Sequence, residues 1–122
     1  MTDLMKHYMA GLLEYADEAT CFLAPYINSY KRFQSGTFAP TKAVWSPDNR
    51  TAAYRMCGEN SKAVRVECRV GGADLNPYLA SAVCLGAGLR GIEQELPLPP
   101  PGEGNCYHLP EVETVPMTLT EA

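Results

Sequence analysis

The sequence has five cysteines and no C-x-x-C pair among them: Cys21, Cys57, Cys68, Cys84 and Cys106 stand far apart and are odd in number. A zinc ribbon, a thioredoxin-type redox motif and a paired disulfide framework are therefore unsupported, and reduced thiols in a cytosolic protein are expected. No long hydrophobic run is present. The longest mostly apolar stretch, Leu79 to Leu89, is too short to cross a bilayer, and Met1 to Thr20 mixes charge throughout, unlike a signal peptide. The expected location is the cytoplasm, without a membrane partner. Histidine is scarce, and His7 and His108 are isolated, which suits structural or exposed roles better than catalysis. Trp45 and Tyr54 are expected in the core or a cleft wall. Internal repeats are missing.

Charge is present, and it is unevenly placed. Lys31, Arg32, Lys42, Arg50, Arg55, Lys62, Arg65 and Arg69 are eight of the ten basic residues, and the same stretch has three acids, Asp48, Glu59 and Glu67. Eight minus three gives +5 locally, in a chain of 122 residues with formal net charge −4. A cationic block in an acidic chain points to a small anionic substrate rather than to nucleic acid. Arginine suits that task because its planar fork grips carboxylates and phosphates through two parallel bonds.

Leu4 to Thr20 has apolar residues favouring one side and reads as a helix, with Asp3 as a plausible N-cap and Pro25 ending the region. Asn28 to Pro40 reads as a loop. Short strands follow over Lys42–Trp45, Thr51–Met56 and Ala63–Val70, separated by the turn sequences Pro47-Asp48-Asn49 and Gly58-Glu59-Asn60, so antiparallel pairing is expected. Asn76 caps a second helix that starts at Pro77 and runs to about Leu96. Its alanines and glycines allow close packing against a sheet or helix. Prolines 97, 99, 100 and 101 predict a stiff linker, and Thr118-Leu119-Thr120-Glu121 reads as a helix start.

The strand Val64-Arg65-Val66-Glu67-Cys68-Arg69-Val70 carries the sharpest signal. Period-two alternation puts Arg65, Glu67 and Arg69 on one face. A carboxylate between two guanidiniums stays charged and offers an oxygen ligand for a hard cation such as Mg²⁺, beside two anion clamps. Phosphoryl transfer asks for this combination. The same alternation also fits an ordinary half-buried strand with a solvated face. Arg50 and Arg55, brought beside Arg65 and Arg69 by antiparallel pairing, favour the site.

Together these blocks resemble the glutamine synthetase family. The resemblance rests on Asn28-Ser29-Tyr30-Lys31-Arg32-Phe33, Gly36 with Ala39-Pro40, Trp45, Asn49-Arg50 with Arg55, Arg65-Val66-Glu67-Cys68-Arg69, Asn76-Pro77-Tyr78-Leu79 and Gly88-Leu89-x-Gly91-Ile92-Glu93. It implies an α+β fold: part of a catalytic domain, with an antiparallel sheet section packed by helices. It implies ATP-dependent joining of glutamate to ammonia or an organic amine through γ-glutamyl phosphate, with Mg²⁺ or Mn²⁺. Arg50 and Arg69 would be catalytic, and Arg32 and Arg69 would hold glutamate. Arg50, Arg55, Lys62 and Arg65 would address ATP, and Glu67 a metal. The parent would be a ring-shaped homo-oligomer.

Two departures from the family pattern carry consequences. Glutamine-forming members place a glutamate just before the Ala-Pro pair, where it closes the site and helps accept the ammonium proton; here that residue is Phe38. A ring takes no proton and suits a bulkier amine, as in the γ-glutamylpolyamine-type relatives. Secondly, family members are several times longer. The resemblance implies an internal piece, without the N-terminal β-grasp domain and the first part of the catalytic domain, and inactive alone. A non-catalytic homologue that binds nucleotide or only joins an oligomer is the rival reading.

Overall fold

The computed structural model describes residues 1–110 and 112–122. Its order is α1 (Asp3–Glu14), α2 (Ala16–Leu23), a short 3₁₀ helix (Ile27–Arg32), β1 (Trp45–Pro47), β2 (Tyr54–Cys57), β3 (Arg65–Cys68), α3 (Pro77–Glu93) and a 3₁₀ turn (Cys106–His108). The class is α+β, as expected. No helix among the described residues is long and apolar enough to cross a membrane.

The first helix differs from the sequence expectation in two ways. Thr2, not Asp3, is the N-cap, its Oγ1 accepting from the Met5 amide at 3.2 Å. The helix also breaks at Tyr15, which leaves helical geometry at φ −103° and ψ 19° while its hydroxyl donates to Gln94 Oε1 at 3.1 Å. The chain leaves α2 through Ala24 at φ −133° and ψ 79°, outside the helical region that a following proline disfavours. Residues 28–32, expected as the start of a loop, belong instead to the 3₁₀ helix.

β2 and β3 pair antiparallel, with Tyr54 opposite Cys68, Arg55 opposite Glu67, Met56 opposite Val66 and Cys57 opposite Arg65. Tyr54 and Met56 face the core, so Arg55 and Glu67 share the outer face. β1 corrects the expectation: it pairs with β2 in parallel, Trp45 beside Tyr54. Parallel neighbours ordinarily need connections of about a dozen residues, and here six suffice. Asp48 turns the chain at φ +46°, and Asn49 Oδ1 accepts from both the amide and the hydroxyl of Thr51. The loop thus carries the chain back to the start of β1 rather than reversing it. Lys42, expected in this strand, forms only an isolated bridge with Thr114.

Asn76 caps α3 as expected, accepting from the Tyr78 and Leu79 amides with Pro77 in the first turn. The small residues let α3 lie almost backbone to backbone on α1: a Cβ on Gly91 would fall 2.2 Å from the His7 carbonyl oxygen and 2.6 Å from Gly11 Cα. The helices cover the inner face of the sheet, and Met9, Leu12, Leu23, Phe33, Trp45, Tyr54, Met56 and Val70 fill the space between. The proline run is no free linker. Trp45 Nε1 donates to the Pro99 carbonyl at 2.7 Å, Gly102 N to the Trp45 carbonyl at 2.9 Å and Ser46 Oγ to the Gly102 carbonyl at 2.7 Å. The segment is strapped along β1, using donors and acceptors that β1 leaves unpaired. Near the end, Thr118 begins a single turn, with Glu121 N donating to its carbonyl at 3.1 Å.

Candidate functional site

The outer face of β2 and β3 brings three charged side chains together. Arg55 Nη1 reaches Glu67 Oε2 at 3.5 Å, and Arg69 Nη1 reaches the same oxygen at 3.1 Å. The two guanidinium side chains are only 19% and 16% exposed, against 42% for the carboxylate. Register explains this: Glu67 stands directly opposite Arg55, and Arg69 follows two residues on, on the same face. Two cations thus share the Glu67 carboxylate, and Asp48 on Arg55 brings the four side chains to balance, two cations against two carboxylates.

Each arginine is held by a second group. Arg55 also pairs with Asp48, through Nη2 and through Nε at 3.2 Å. Arg69 Nη2 donates to the Phe38 carbonyl at 2.8 Å, while its Nε is buried and has no partner among the described residues. A buried donor left over on a site arginine is the atom a bound ligand or water would complete. Phe38 sits in the 36–40 loop at φ +60° and is 57% exposed as a residue. A side chain in the left-handed region is strained, and here the Arg69 bond to its carbonyl holds it.

Arg32 enters from behind. Its Nη1 donates to the Val70 carbonyl at 2.9 Å, and Nη2 donates to the carbonyls of Arg69 at 2.6 Å and Gly71 at 3.0 Å. Burial, and then the neighbouring Arg69 charge, lower its pKa. Both Nη groups are thus committed to the backbone leaving β3, whereas the resemblance implies a grip on a substrate carboxylate. Nearby, Ser29 Oγ donates to Asp74 Oδ2 at 2.5 Å, a second tie between the 3₁₀ helix and this segment.

The remaining cations lie outside the cluster. Arg50 is exposed in the β1–β2 connection, and Lys62 is exposed in the turn before β3. Arg65 is exposed, faces Cys57 across the ladder and donates to Ala63 O at 3.0 Å within its own turn. The parallel start of the sheet is the reason: it leaves Arg50 in a loop instead of on a strand beside Arg65. Two groups at the site escape a reading of the sequence. Asp48 meets Arg55 only because β1 and β2 run in parallel, and the Phe38 carbonyl is a backbone group with no sequence signal. His7 Nδ1 sits 2.9 Å from the Leu96 carbonyl, a structural contact, and Trp45 and Tyr54 are core residues.

Glu67 offers one carboxylate oxygen pair to a hard cation. Among the described residues no group of three or more His, Cys, Asp or Glu side chains gathers to hold a metal. A complete dication site therefore needs ligands from elsewhere.

Comparisons with known proteins agree on one relationship. The family model described as "Glutamine synthetase, catalytic domain" matches residues 1–122. A gamma-glutamylethanolamide synthetase, GlnA4 of Streptomyces coelicolor, is 51% identical over 122 residues, covering 100% of this chain and 26% of its own. The gamma-glutamylputrescine synthetase PuuA of Escherichia coli is 46% identical over 120 residues, covering 98% and 25%. The solved structure "GmaS/ADP complex-Conformation 1" superposes with a TM-score of 0.87 at 28% identity, covering 99% of this chain and 29% of that one. The chain spans about a quarter of the length of the curated relatives it matches.

Proposed function

From the premise that this chain belongs to the glutamine synthetase family and matches its catalytic domain, we propose that it supplies part of an ATP-dependent ligase that joins glutamate to an amine. The observation that carries the reading is the pair Arg55 and Arg69 converging on Glu67. A phosphoryl group in transfer spreads negative charge over its oxygens, and fixed guanidiniums in a half-buried face neutralise it without reorganising. Arg69, with a buried unpaired Nε, holds the glutamate carboxylate and the moving phosphoryl group. Arg55 addresses the ATP phosphates, joined by the exposed Arg50, Lys62 and Arg65 from outside the cluster, and Arg50 assists Arg69 in catalysis. Glu67 contributes one ligand to a divalent metal, Mg²⁺ or Mn²⁺, whose role when bound is to neutralise phosphate charge. Arg32 bears on glutamate binding by fixing the segment that carries Arg69.

The amine is organic. Phe38 places an apolar ring where a carboxylate would attract ammonium, and the relatives at 51% and 46% identity carry the names of a γ-glutamylethanolamide and a γ-glutamylputrescine synthetase. The parent assembles as a ring-shaped homo-oligomer, and the chain alone is inactive, because a single carboxylate holds no catalytic metal pair. The test is a graft: residues 1–122 replace the matching quarter of the Streptomyces coelicolor relative, and phosphate release is followed with ATP, glutamate and ethanolamine. Amine-dependent turnover supports the reading. A folded graft without turnover would favour the non-catalytic homologue, and turnover by the isolated chain would overturn its predicted inactivity.

A further inference from the structure

Arg55 is fully engaged from within its own chain. Its Nη1 reaches Glu67 Oε2 at 3.5 Å, while Nε, at 3.2 Å, and Nη2 both donate to one Asp48 oxygen, Oδ1. Nε and an Nη together form the edge of a guanidinium that takes a carboxylate or a phosphate through two parallel bonds. On Arg55 that edge is already filled. With Arg69 and Glu67 the cluster balances two cations against two carboxylates, so an arriving phosphate brings excess negative charge. Either one carboxylate leaves Arg55 or the anion is repelled.

The two carboxylates differ in how readily they can leave. Glu67 stands opposite Arg55 in the ladder and also binds Arg69, so its release would unpair both arginines. The Asp48 side chain is 79% exposed even while paired, so water already solvates it and its release costs little. Among the described residues, Arg55 is the only hydrogen-bond partner of its carboxylate. The backbone at Asp48 is fixed, at φ +46° with its amide donating to the Met56 carbonyl at 2.8 Å. Rotation of the side chain alone therefore frees the Arg55 edge without disturbing the β1–β2 pairing.

We propose that Asp48 sets the phosphate affinity of this face by occupying, as an internal anion, the Arg55 edge that a nucleotide polyphosphate takes. The polyphosphate displaces Asp48, which swings into water, and Glu67 stays between the two arginines. This role rests on the reading that Arg55 addresses the ATP phosphates, and it adds the residue that opposes their binding.

Isothermal titration calorimetry of the 122-residue chain with tripolyphosphate at low salt compares wild type with Asp48→Asn and Asp48→Gly. Both replacements tolerate the left-handed backbone there, and either decides the matter if the other fails to fold. They should bind about three- to fivefold tighter than wild type, the range that loss of an exposed ion pair supports. Glu59→Gln, which removes one exposed charge from the β2–β3 turn, should bind like wild type. Adding Arg55→Gln to Asp48→Asn should abolish the gain. Binding by the Asp48 variants no tighter than wild type, yet lost in Arg55→Gln, overturns the proposal and leaves Arg55 as the phosphate ligand. A gain matched by Glu59→Gln, or one that survives Arg55→Gln, also overturns it. If neither wild type nor the Asp48 variants bind tripolyphosphate, the reading of Arg55 falls, and the role of Asp48 with it.

Discussion

The contact between α1 and α3 sets the layer on which the charged sheet rests, and Gly91→Ala tests it. A methyl at this position would lie 2.2 Å from the His7 carbonyl oxygen and 2.6 Å from Gly11 Cα. Carbon atoms in contact prefer roughly 3.5–4.0 Å, so the overlap is about 1 Å. Both neighbours are helix backbone and cannot rotate away, so α3 must lift from α1 along its length. Overpacking of this kind costs about 3 kcal/mol, and the better helix propensity of alanine returns at most about 1 kcal/mol. The net loss of about 2 kcal/mol corresponds to a fall in Tm of roughly 8 °C for a domain of this size. Gly86→Ala, on the same helix, has open space around the new methyl, with nothing within 4 Å, and should instead gain about 0.5–1 kcal/mol. Circular dichroism melts and urea titrations read both. A Gly91→Ala chain as stable as wild type, or two variants shifting in the same direction, would refute the close-packing argument.

Other outcomes follow from single contacts. Arg32→Lys replaces a fork that bonds three carbonyls with one ammonium, and should cost about 2–3 kcal/mol in a urea titration; an unchanged midpoint would mean the guanidinium is no strut. In the grafted ligase, Phe38→Glu should raise the ratio of ammonium to ethanolamine turnover by about tenfold or more, since a carboxylate attracts a cation and accepts its proton; an unchanged ratio removes Phe38 as the determinant. Trp45→Phe deletes the bond to the Pro99 carbonyl and should cost about 1 kcal/mol, with faster hydrogen exchange at the Gly102 amide if the proline segment is strapped to β1.

Local signals in the sequence are reliable where the cause is local. Asn76-Pro77 marks the start of α3, the glycines and alanines mark its close-packed face, and alternation in residues 64–70 places Glu67 and Arg69 together. The antiparallel pairing of β2 with β3, which sets Arg55 opposite Glu67, follows from the turn at Gly58-Glu59-Asn60. What fails depends on distant contacts. Pro47-Asp48-Asn49 looks like a hairpin turn, but Asn49 folds the loop so that β2 starts beside Val44 and runs parallel to β1, which strands Arg50 away from Arg65. The prolines after α3 look like a linker because nothing in their sequence shows that Trp45 and Ser46 will bond them. The three backbone carbonyls that turn toward the Arg32 guanidinium are likewise invisible in the sequence.

Neutralisation of phosphoryl charge at the outer face of β2 and β3 is the central claim. Its most direct test is kcat for phosphate release by the grafted ligase carrying Arg69→Gln, compared with the unmodified graft at saturating ATP, glutamate and ethanolamine. Loss of one preorganised cationic donor predicts a fall of about 10²–10³-fold. A kcat within about threefold of the unmodified graft would contradict it.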